Sequence, residues 1–431
     1  MPLVVRHTDL IPDVATLARS LGTARGAQVL WSADGVGPSY LCCEPVEQVT
    51  ALDPEPALPL DPRLGAPGQV PRWVGVLPYE CRRDLERARH VPAERRPAPA
   101  ISLPIWQRYA AVAQVSDAGV IVVGDDAAAV EHLERRLRIR GAMRRASLRR
   151  LGDEADDARA HMHRIERALE FIAQGDLYQV NLARRFTYHA SGGAVELLLA
   201  VAGHGTAPYA CALDVGHAQV VGLSPELFLR LEPGGRVTTI PIKGTRPRGA
   251  TPERDRALAS ELDADPKERA ELAMILDVER NDLGRIARTG SVRLTHGPEV
   301  VSHPTIHHRQ ATLVAELRPE ITRRMLLSAM LPSGSVTGAP KVRAMELIAN
   351  LERVRRGLYT GAYGYVTQAG GLELAMAIRS LSLRGEVGHY HTGGGIVADS
   401  DPRRELEETE WKAEQFQALA SRPAERSGLS L

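Results

Sequence analysis

Of the 54 basic residues in the chain only four are lysine, Lys243, Lys267, Lys341 and Lys412; the rest are arginine. Where arginine serves so freely, a retained lysine is a candidate for what a guanidinium cannot do, such as giving up a proton and attacking an electrophile. Chance retention is the plainer alternative for each. Glu268 and Glu271 stand three residues apart, and Glu405 and Glu408 repeat that spacing. On helices each pair would place both carboxylates on one side. Two such pairs can furnish hard oxygen ligands for magnesium while leaving positions for water and an anionic substrate. Spacing alone describes a solvated acidic helix face equally well. His303, His307 and His308 lie close in sequence. Without a nearby cysteine or an H-E-x-x-H pattern they read as one acid–base or substrate-contacting imidazole, or as packed structural histidine, rather than as a zinc site. The glycine-rich stretches 333–341 and 393–395 have neither the G-x-x-x-x-G-K-[ST] spacing nor a G-x-G-x-x-G opening a helix, which argues against a nucleotide cofactor. They would instead let backbone N–H groups approach a carboxylate.

Hydrophobic periodicity supplies the elements that must hold these groups. Ile165, Leu169 and Ile172 recur as a helix face, Gly175 stops it, and 178–188 reads as a strand. Further strands are expected over 218–223, 227–231, 237–240, 362–367 and 372–380, and helices over 266–278 and 404–420, which carry the two glutamate pairs. Residues 131–150, arginine-rich with spaced leucines, read as a solvated helix or connector. The proline-rich stretches 54–71 and 90–104 read as loops or strand edges. Strands and helices mix without strict βαβ alternation, so the expected class is α+β.

With 431 residues, 44% of them hydrophobic and 25% charged, the chain can bury a substantial core without disulfide or metal staples. A formal charge of +1 creates no field to hold nucleic acid or an anionic membrane, and leaves a small molecule as the expected substrate. Cys42, Cys43, Cys81 and Cys211 include no C-x-x-C pair and suit a reducing compartment rather than a disulfide framework. Arg6, His7 and Asp9 fall where a signal peptide would be apolar, and no run of about 18 apolar residues follows. Neither export nor a membrane span is expected, and the expected location is the cytoplasm.

The motifs, taken together, resemble the chorismate-utilising enzymes, which include anthranilate, aminodeoxychorismate, isochorismate and salicylate synthases. The resemblance is carried by G-D-L-Y-Q-V-N-L at 175–182, S-P-E at 224–226, P-I-K-G-T-R-P-R-G at 241–249 and R-N-D-L-G-R at 280–285. It continues through G-S-V-T-G-A-P-K at 334–341, Y-T-G-A at 359–362, A-I-R at 377–379 and G-I-V-A-D-S at 395–400. Before about residue 150 it is loose, resting on 29–32 and 73–75. The expected organisation is therefore an N-terminal part, 1–150, packed on a catalytic domain, 151–425. The resemblance implies two packed β-sheets flanked by helices with the active site between them. It further implies that Glu268, Glu271, Glu405 and Glu408 surround a magnesium ion that also takes the ring carboxylate of chorismate. Tyr359 and Arg379 would bind the enolpyruvyl carboxylate, with help from backbone amides at Gly394 and Gly395. Lys412 would sit near the metal end, Ser335 and Thr337 would line the pocket, and His308 would lie near the C4 hydroxyl.

Two positions sort the chain within that family. The water-adding members resemble one another in carrying a lysine base where this chain has Gln179, and a neutral amide cannot activate water. Anthranilate synthases have alanine where Lys243 stands, whereas aminodeoxychorismate synthases have lysine. The pattern thus resembles the aminating subunit of aminodeoxychorismate synthase. In that reading Lys243 attacks C2, Glu226 or His308 assists departure of the C4 hydroxyl, and ammonia adds at C4. Ammonia is expected from a separate glutamine amidotransferase subunit, since no Cys-centred glutaminase motif is visible. Anthranilate synthase component I and a non-catalytic chorismate-binding subunit are the rivals. Two departures from the family pattern stand out: polar Arg309-Gln310-Ala311 after the paired histidines, and Ser333 where glycine is common.

Overall fold

Apolar alternation resolves into two antiparallel sheets of 12 and 10 strands in the computed structural model. It describes residues 3–420 apart from 23, 36, 82–95, 140, 142–143, 153–156, 204, 206 and 304–305. The first sheet runs from Val4–His7 through Gly119–Gly124, Ala111–Ser116, Ser39–Cys42 and Gln28–Trp31 to Tyr209–Asp214 and Gln219–Ser224. It continues through Ser380–Arg384 and Val387–Ile396 to Gln179–Ser191, which also pairs with Gly338–Ala339 and Ser147–Leu151. The second sheet runs from Ile242–Pro247 through Ile306–Glu316, Arg236–Ile240, Leu227–Leu231, Leu372–Met376 and Ala362–Thr367 to Pro71–Leu77, Ile105–Arg108 and Glu47–Val49. Arg293–Ser302 flanks it. Strands from the first 124 residues extend both sheets, and residue 150 lies inside the strand Ser147–Leu151.

The sheets face each other across a layer that includes Val74, Val76, Tyr109, Leu213, Val220 and Tyr363. Helices Val14–Leu21, Ala127–Arg138 and Ala194–Ala202 cover the outer face of the first sheet, burying Leu17, Leu21, Val130, Leu133 and Leu197. Helices Pro266–Gly284 and Arg323–Met330 do the same for the second through Leu272, Leu276, Leu283 and Leu326. Each such side chain contributes roughly 1.5–3 kcal/mol on burial, far more than the tenths of a kcal/mol that separate helix propensities. Packing therefore decides where these helices lie. The result is α+β, two packed sheets flanked by helices, as expected.

Several boundaries differ from the sequence reading for local physical reasons. Residues 131–150 are not one element. The helix Ala127–Arg138, capped by the Asp126 carboxylate on Ala129 N–H, ends in Arg135, Arg136 and Arg138, which suit its negative end; the strand Ser147–Leu151 follows. The helix expected over 404–420 is two, Pro402–Lys412 and Glu414–Ala420. The one over 266–278 continues to Gly284. Within 54–71 lie two short 3₁₀ turns, Pro62–Leu64 and Ala66–Gln69. Of 90–104, residues 90–95 lie outside the described residues. The strand expected over 372–380 is divided into Leu372–Met376 in the second sheet and Ser380–Arg384 in the first, with Arg379 at φ +49° between them.

Candidate active site

Two chain segments cross from one sheet to the other side by side. Ser224 ends a strand of the first sheet and Leu227 begins one of the second, so Pro225 and Glu226 form the crossing; Ala377–Arg379 make the return. The segments are joined by Leu223 N–H to Arg379 O at 3.0 Å and Met376 N–H to Glu226 O at 3.0 Å. Leaving the sheets there points both side chains into a cleft of about 280 Å³, toward the small end of ligand sites. The left-handed backbone of Arg379 costs roughly 1–2 kcal/mol, and Thr360, beside Tyr359, has φ +60°. Such strain collects where a side chain must be aimed. No carboxylate of the described residues pairs with the Arg379 guanidinium, and burial lowers its pKa.

The opposite wall comes from the strand Ile242–Pro247. Its register against Ile306–Glu316 slips between Lys243 and Thr245, where Gly244 has φ +78°. This bulge aims Lys243 inward, with Nζ donating to Ser335 O at 3.1 Å. On the paired strand His308 lines the cleft. Its Nδ1 meets Thr245 Oγ1 at 3.0 Å, while its buried Nε2 has no hydrogen-bond partner among the described residues. Burial, reinforced by Arg379, pulls its pKa down to about 3, so the ring is neutral at physiological pH. Glu226 is buried too, and loss of water pushes its carboxyl up to about 7. Its Oε1 accepts from Ser335 Oγ at 2.9 Å. Tyr359 packs parallel to His391, ring centres 5.6 Å apart.

The remaining wall holds the glutamates. Pro266–Gly284 presents Glu268 and Glu271, Pro402–Lys412 presents Glu405 and Glu408, and all four line the cleft. Asp265 and Asp401 cap these helices through backbone N–H groups of their first turns, which fixes the entry of each pair. The strand carrying Gly394 and Gly395 lies against them. A Cβ on Gly394 would come within 2.7 Å of Glu405 Oε2, and one on Gly395 within 1.9 Å of Gln179 Nε2. Burial raises the pKa of Glu268, with Glu271 adding to it, and burial raises that of Glu405. Lys412, 2.5 Å from Glu408, lowers that carboxyl's pKa instead. Lys267 lies 3.5 Å from Glu405 and 3.9 Å from Glu271. With two ammonium groups against four carboxylates, two negative charges remain. Oxygen donors and that deficit fit one hard divalent cation. Among the described residues no group of three or more His, Cys, Asp or Glu is placed to hold a metal ion by itself, so waters and a ligand's own oxygens would have to complete its shell.

Thirteen of the fifteen residues given a site role from the sequence thus meet in one cleft: Lys243, Glu226, His308, Tyr359, Arg379, Gly394, Gly395, Ser335, Lys412 and the four glutamates. Two do not. Thr337 is fully buried and turns away to donate to Ser333 O at 2.8 Å. Gln179 is buried behind Gly395, its amide 3.5 Å from Glu271. Sequence reasoning missed Arg246, which lines the cleft while paired with Asp265 at 3.0 Å, and gave Lys267 no role beyond its rarity. It also missed the buried Glu352–Arg356 ion pair, 2.7 Å long, whose guanidinium lies 5.6 Å from the Tyr359 ring centre. Its acid-to-base spacing of four residues was the signal that could have found it. The departure at Arg309 is explained by an ion pair with Asp263 at 2.7 Å.

Comparison with known proteins meets the same cleft. The sequence is 43% identical over 249 residues to anthranilate synthase component 1 of Aquifex aeolicus, covering 58% of this chain and 50% of that one. It is 41% identical over 259 residues to aminodeoxychorismate synthase component 1 of Klebsiella aerogenes, covering 58% and 57%. The match spans about half the length of these relatives. The crystal structure of anthranilate synthase component I from Streptococcus pneumoniae TIGR4 superposes over 96% of this chain and 92% of its own, with TM-score 0.73 and 26% identity. MenF, the menaquinone-specific isochorismate synthase of Escherichia coli, shares the fold over 97% and 94% with TM-score 0.77 and 18% identity. The family model for chorismate binding enzymes matches residues 30–418, which include both crossing segments, both glutamate helices and every wall of the cleft; the chain belongs to the chorismate-binding enzyme family.

Proposed function

We propose that the protein is the aminating component of an aminodeoxychorismate synthase, converting chorismate and ammonia to 4-amino-4-deoxychorismate. The observation that carries the reading is Lys243. A primary amine faces the same cavity as a buried acid, a guanidinium that no carboxylate of the described residues pairs, and four carboxylates. Chorismate carries two carboxylates at opposite ends; the cleft offers a guanidinium for one and, for the other, a carboxylate wall that would need a bound cation to receive it. Arg379, with Tyr359 beside it, receives the enolpyruvyl carboxylate as a fork that suits two oxygens. The ring carboxylate faces the glutamates, where magnesium, held by Glu268, Glu271, Glu405 and Glu408, supplies Lewis-acid charge when bound.

The chemistry then falls to side chains of this chain. The neutral amine of Lys243 attacks C2 as the C4–O bond breaks, the electron pair leaving on oxygen and a proton from Glu226 completing water. Glu226, poised near neutrality, can hold that proton; His308, neutral down to about pH 3, is the weaker candidate for acid. His308 Nε2 remains available to the departing or entering group. Ammonia adds at C4 while the C2–N bond to Lys243 breaks, restoring the diene. Supply of ammonia by a separate glutamine amidotransferase belongs to the same proposal, in keeping with relatives named component 1. No described helix is long and apolar enough to cross a membrane, and the expected location is the cytoplasm.

Direct amination at C2, the anthranilate reading, is favoured by the names of several relatives and opposed by Lys243. Chromatography of products from chorismate, magnesium and an ammonium salt separates the two. Adding a 4-amino-4-deoxychorismate lyase should yield 4-aminobenzoate only in the lyase tube. Anthranilate without lyase would replace the proposal by its rival.

A further inference from the structure

Behind Glu226 runs a buried file of four oxygens that ends in a second acid. Glu226 Oε1 lies 2.9 Å from Ser335 Oγ, Ser335 Oγ lies 3.0 Å from Ser333 Oγ, and Ser333 Oγ lies 2.6 Å from Glu279 Oε1. All four residues are buried. Glu226 and Ser335 line the cleft, whereas Ser333 and Glu279 lie behind it. Ser335 N–H also donates to Ser333 Oγ at 3.1 Å, holding the two hydroxyls in place. Each hydroxyl owns one proton and an ionised carboxylate owns none. Three hydrogen bonds along the file need three protons, and two serines bring two. With both acids ionised, one of the three contacts would set lone pair against lone pair in a dry interior, a costly arrangement. One acid proton, residing at either end, satisfies all three.

We propose that Glu279 is the proton reservoir of Glu226, the two acids sharing a single proton through the hydroxyls of Ser333 and Ser335. Glu279 touches no substrate and acts through Glu226. When Glu226 gives its proton to the departing hydroxyl, the Ser335 proton moves to Glu226, the Ser333 proton to Ser335 and the Glu279 proton to Ser333. Glu279 is left ionised, and the file reverses when the incoming amine gives up a proton. Leaving-group identity rests on the proposed function; proton sharing does not. Both carboxyls are pushed up to about 7, chiefly by burial, which matches an acid pair that keeps one proton near neutrality. The charged groups facing the file are Lys243 on the side of Glu226, and Asp282 and Lys341, 2.9 Å apart, on the side of Glu279, with Arg285 acting on Asp282. Ser333 is the position where the family pattern commonly has glycine, which could not carry the relay.

The test is infrared titration of buried carboxyl groups in the substrate-free protein, for the unsubstituted chain, Glu279→Gln and Ser333→Ala. The unsubstituted protein should hold one protonated carboxyl up to about neutral pH. In Glu279→Gln, which keeps an acceptor for Ser333, the remaining proton should be lost roughly one pH unit lower, because the charge of Glu279 no longer opposes ionisation of Glu226. The alkaline limb of kcat should move with it. In Ser333→Ala the two carboxyls should titrate separately, and kcat should fall about tenfold with KM for chorismate unchanged. An unchanged titration midpoint in Glu279→Gln overturns the proposal, and that variant decides alone if Ser333→Ala does not fold. The titration needs no substrate, so failure to consume chorismate would remove the proposed function without touching this result.

Discussion

The glutamates on the two helices and the Glu226–Glu279 pair are carboxylates crowded into one neighbourhood, but they are stabilised differently. Glu268, Glu271, Glu405 and Glu408 face the open cleft, with Lys267 and Lys412 offsetting half their charge. Glu226 lines the same cleft and Glu279 lies buried behind it, with only hydroxyls between them. Unbalanced carboxylates beside solvent favour a hydrated cation, because water and a ligand can complete its shell. Carboxylates sealed from solvent favour a proton, because an isolated ion there is far costlier than the neutral acid. On the proposed reading, the same residue type serves as metal ligand where several carboxylates and lysines cluster at the cleft, and as acid where hydroxyls alone surround it.

Substitutions that exchange carboxylate for amide should separate the two groups. The largest effect is expected for Glu226→Gln, which removes the acid facing the cleft. Turnover should fall roughly 10²–10⁴-fold, while stabilisation by magnesium, read as a rise in Tm, stays as in the unsubstituted chain. Loss of that rise would mean that Glu226 belongs to the cation site. In Glu405→Gln the pattern should invert: the magnesium-dependent rise in Tm shrinks to near zero, and activity returns in part at high magnesium. Equal Tm rises in both proteins would break the assignment.

Competition between protons and the cation gives a third, smaller effect. Burial raises the pKa of Glu268 and Glu405, so magnesium should raise Tm more at pH 8 than at pH 6. The smallest effect is a slope in metal-free stability. Glu226 and Glu279 stand at about 7 in the fold, against about 4.3 for a free glutamate. Between these values the native state keeps a proton that the unfolded chain has lost. Their contribution is therefore full below about pH 4 and declines as pH rises through 7. Denaturant titrations should show a fall on the order of 4 kcal/mol across that window, and a shallower one in Glu279→Gln.

Much of the helix-borne site was legible because its elements are local and periodic. Two i,i+3 glutamate pairs lie on helices at the expected places, and three of the four lysines line the cleft while Lys341 pairs with Asp282 behind it. The crossing segments were not legible. Strand periodicity ran straight through 372–380, since Ala377 and Ile378 are apolar whichever sheet follows, and nothing local announces that Arg379 turns left-handed. Thr337 was carried over with Ser335 on one motif, yet the turn between them sends one hydroxyl to Glu226 and the other into the backbone. The link from Ser333 to Glu279 spans 54 positions and exists only once helix and loop are packed. Spacing cannot report it.

Central to the account is Lys243 as the nucleophile, and mass spectrometry of the intact protein and its peptides tests it most directly. With chorismate and magnesium present and ammonia withheld, the peptide containing Lys243 should gain the mass of chorismate less one water. It should lose that mass when an ammonium salt is added, and Lys243→Ala should neither form the adduct nor release 4-amino-4-deoxychorismate. An unmodified Lys243 peptide together with undiminished 4-amination by Lys243→Ala would contradict the account.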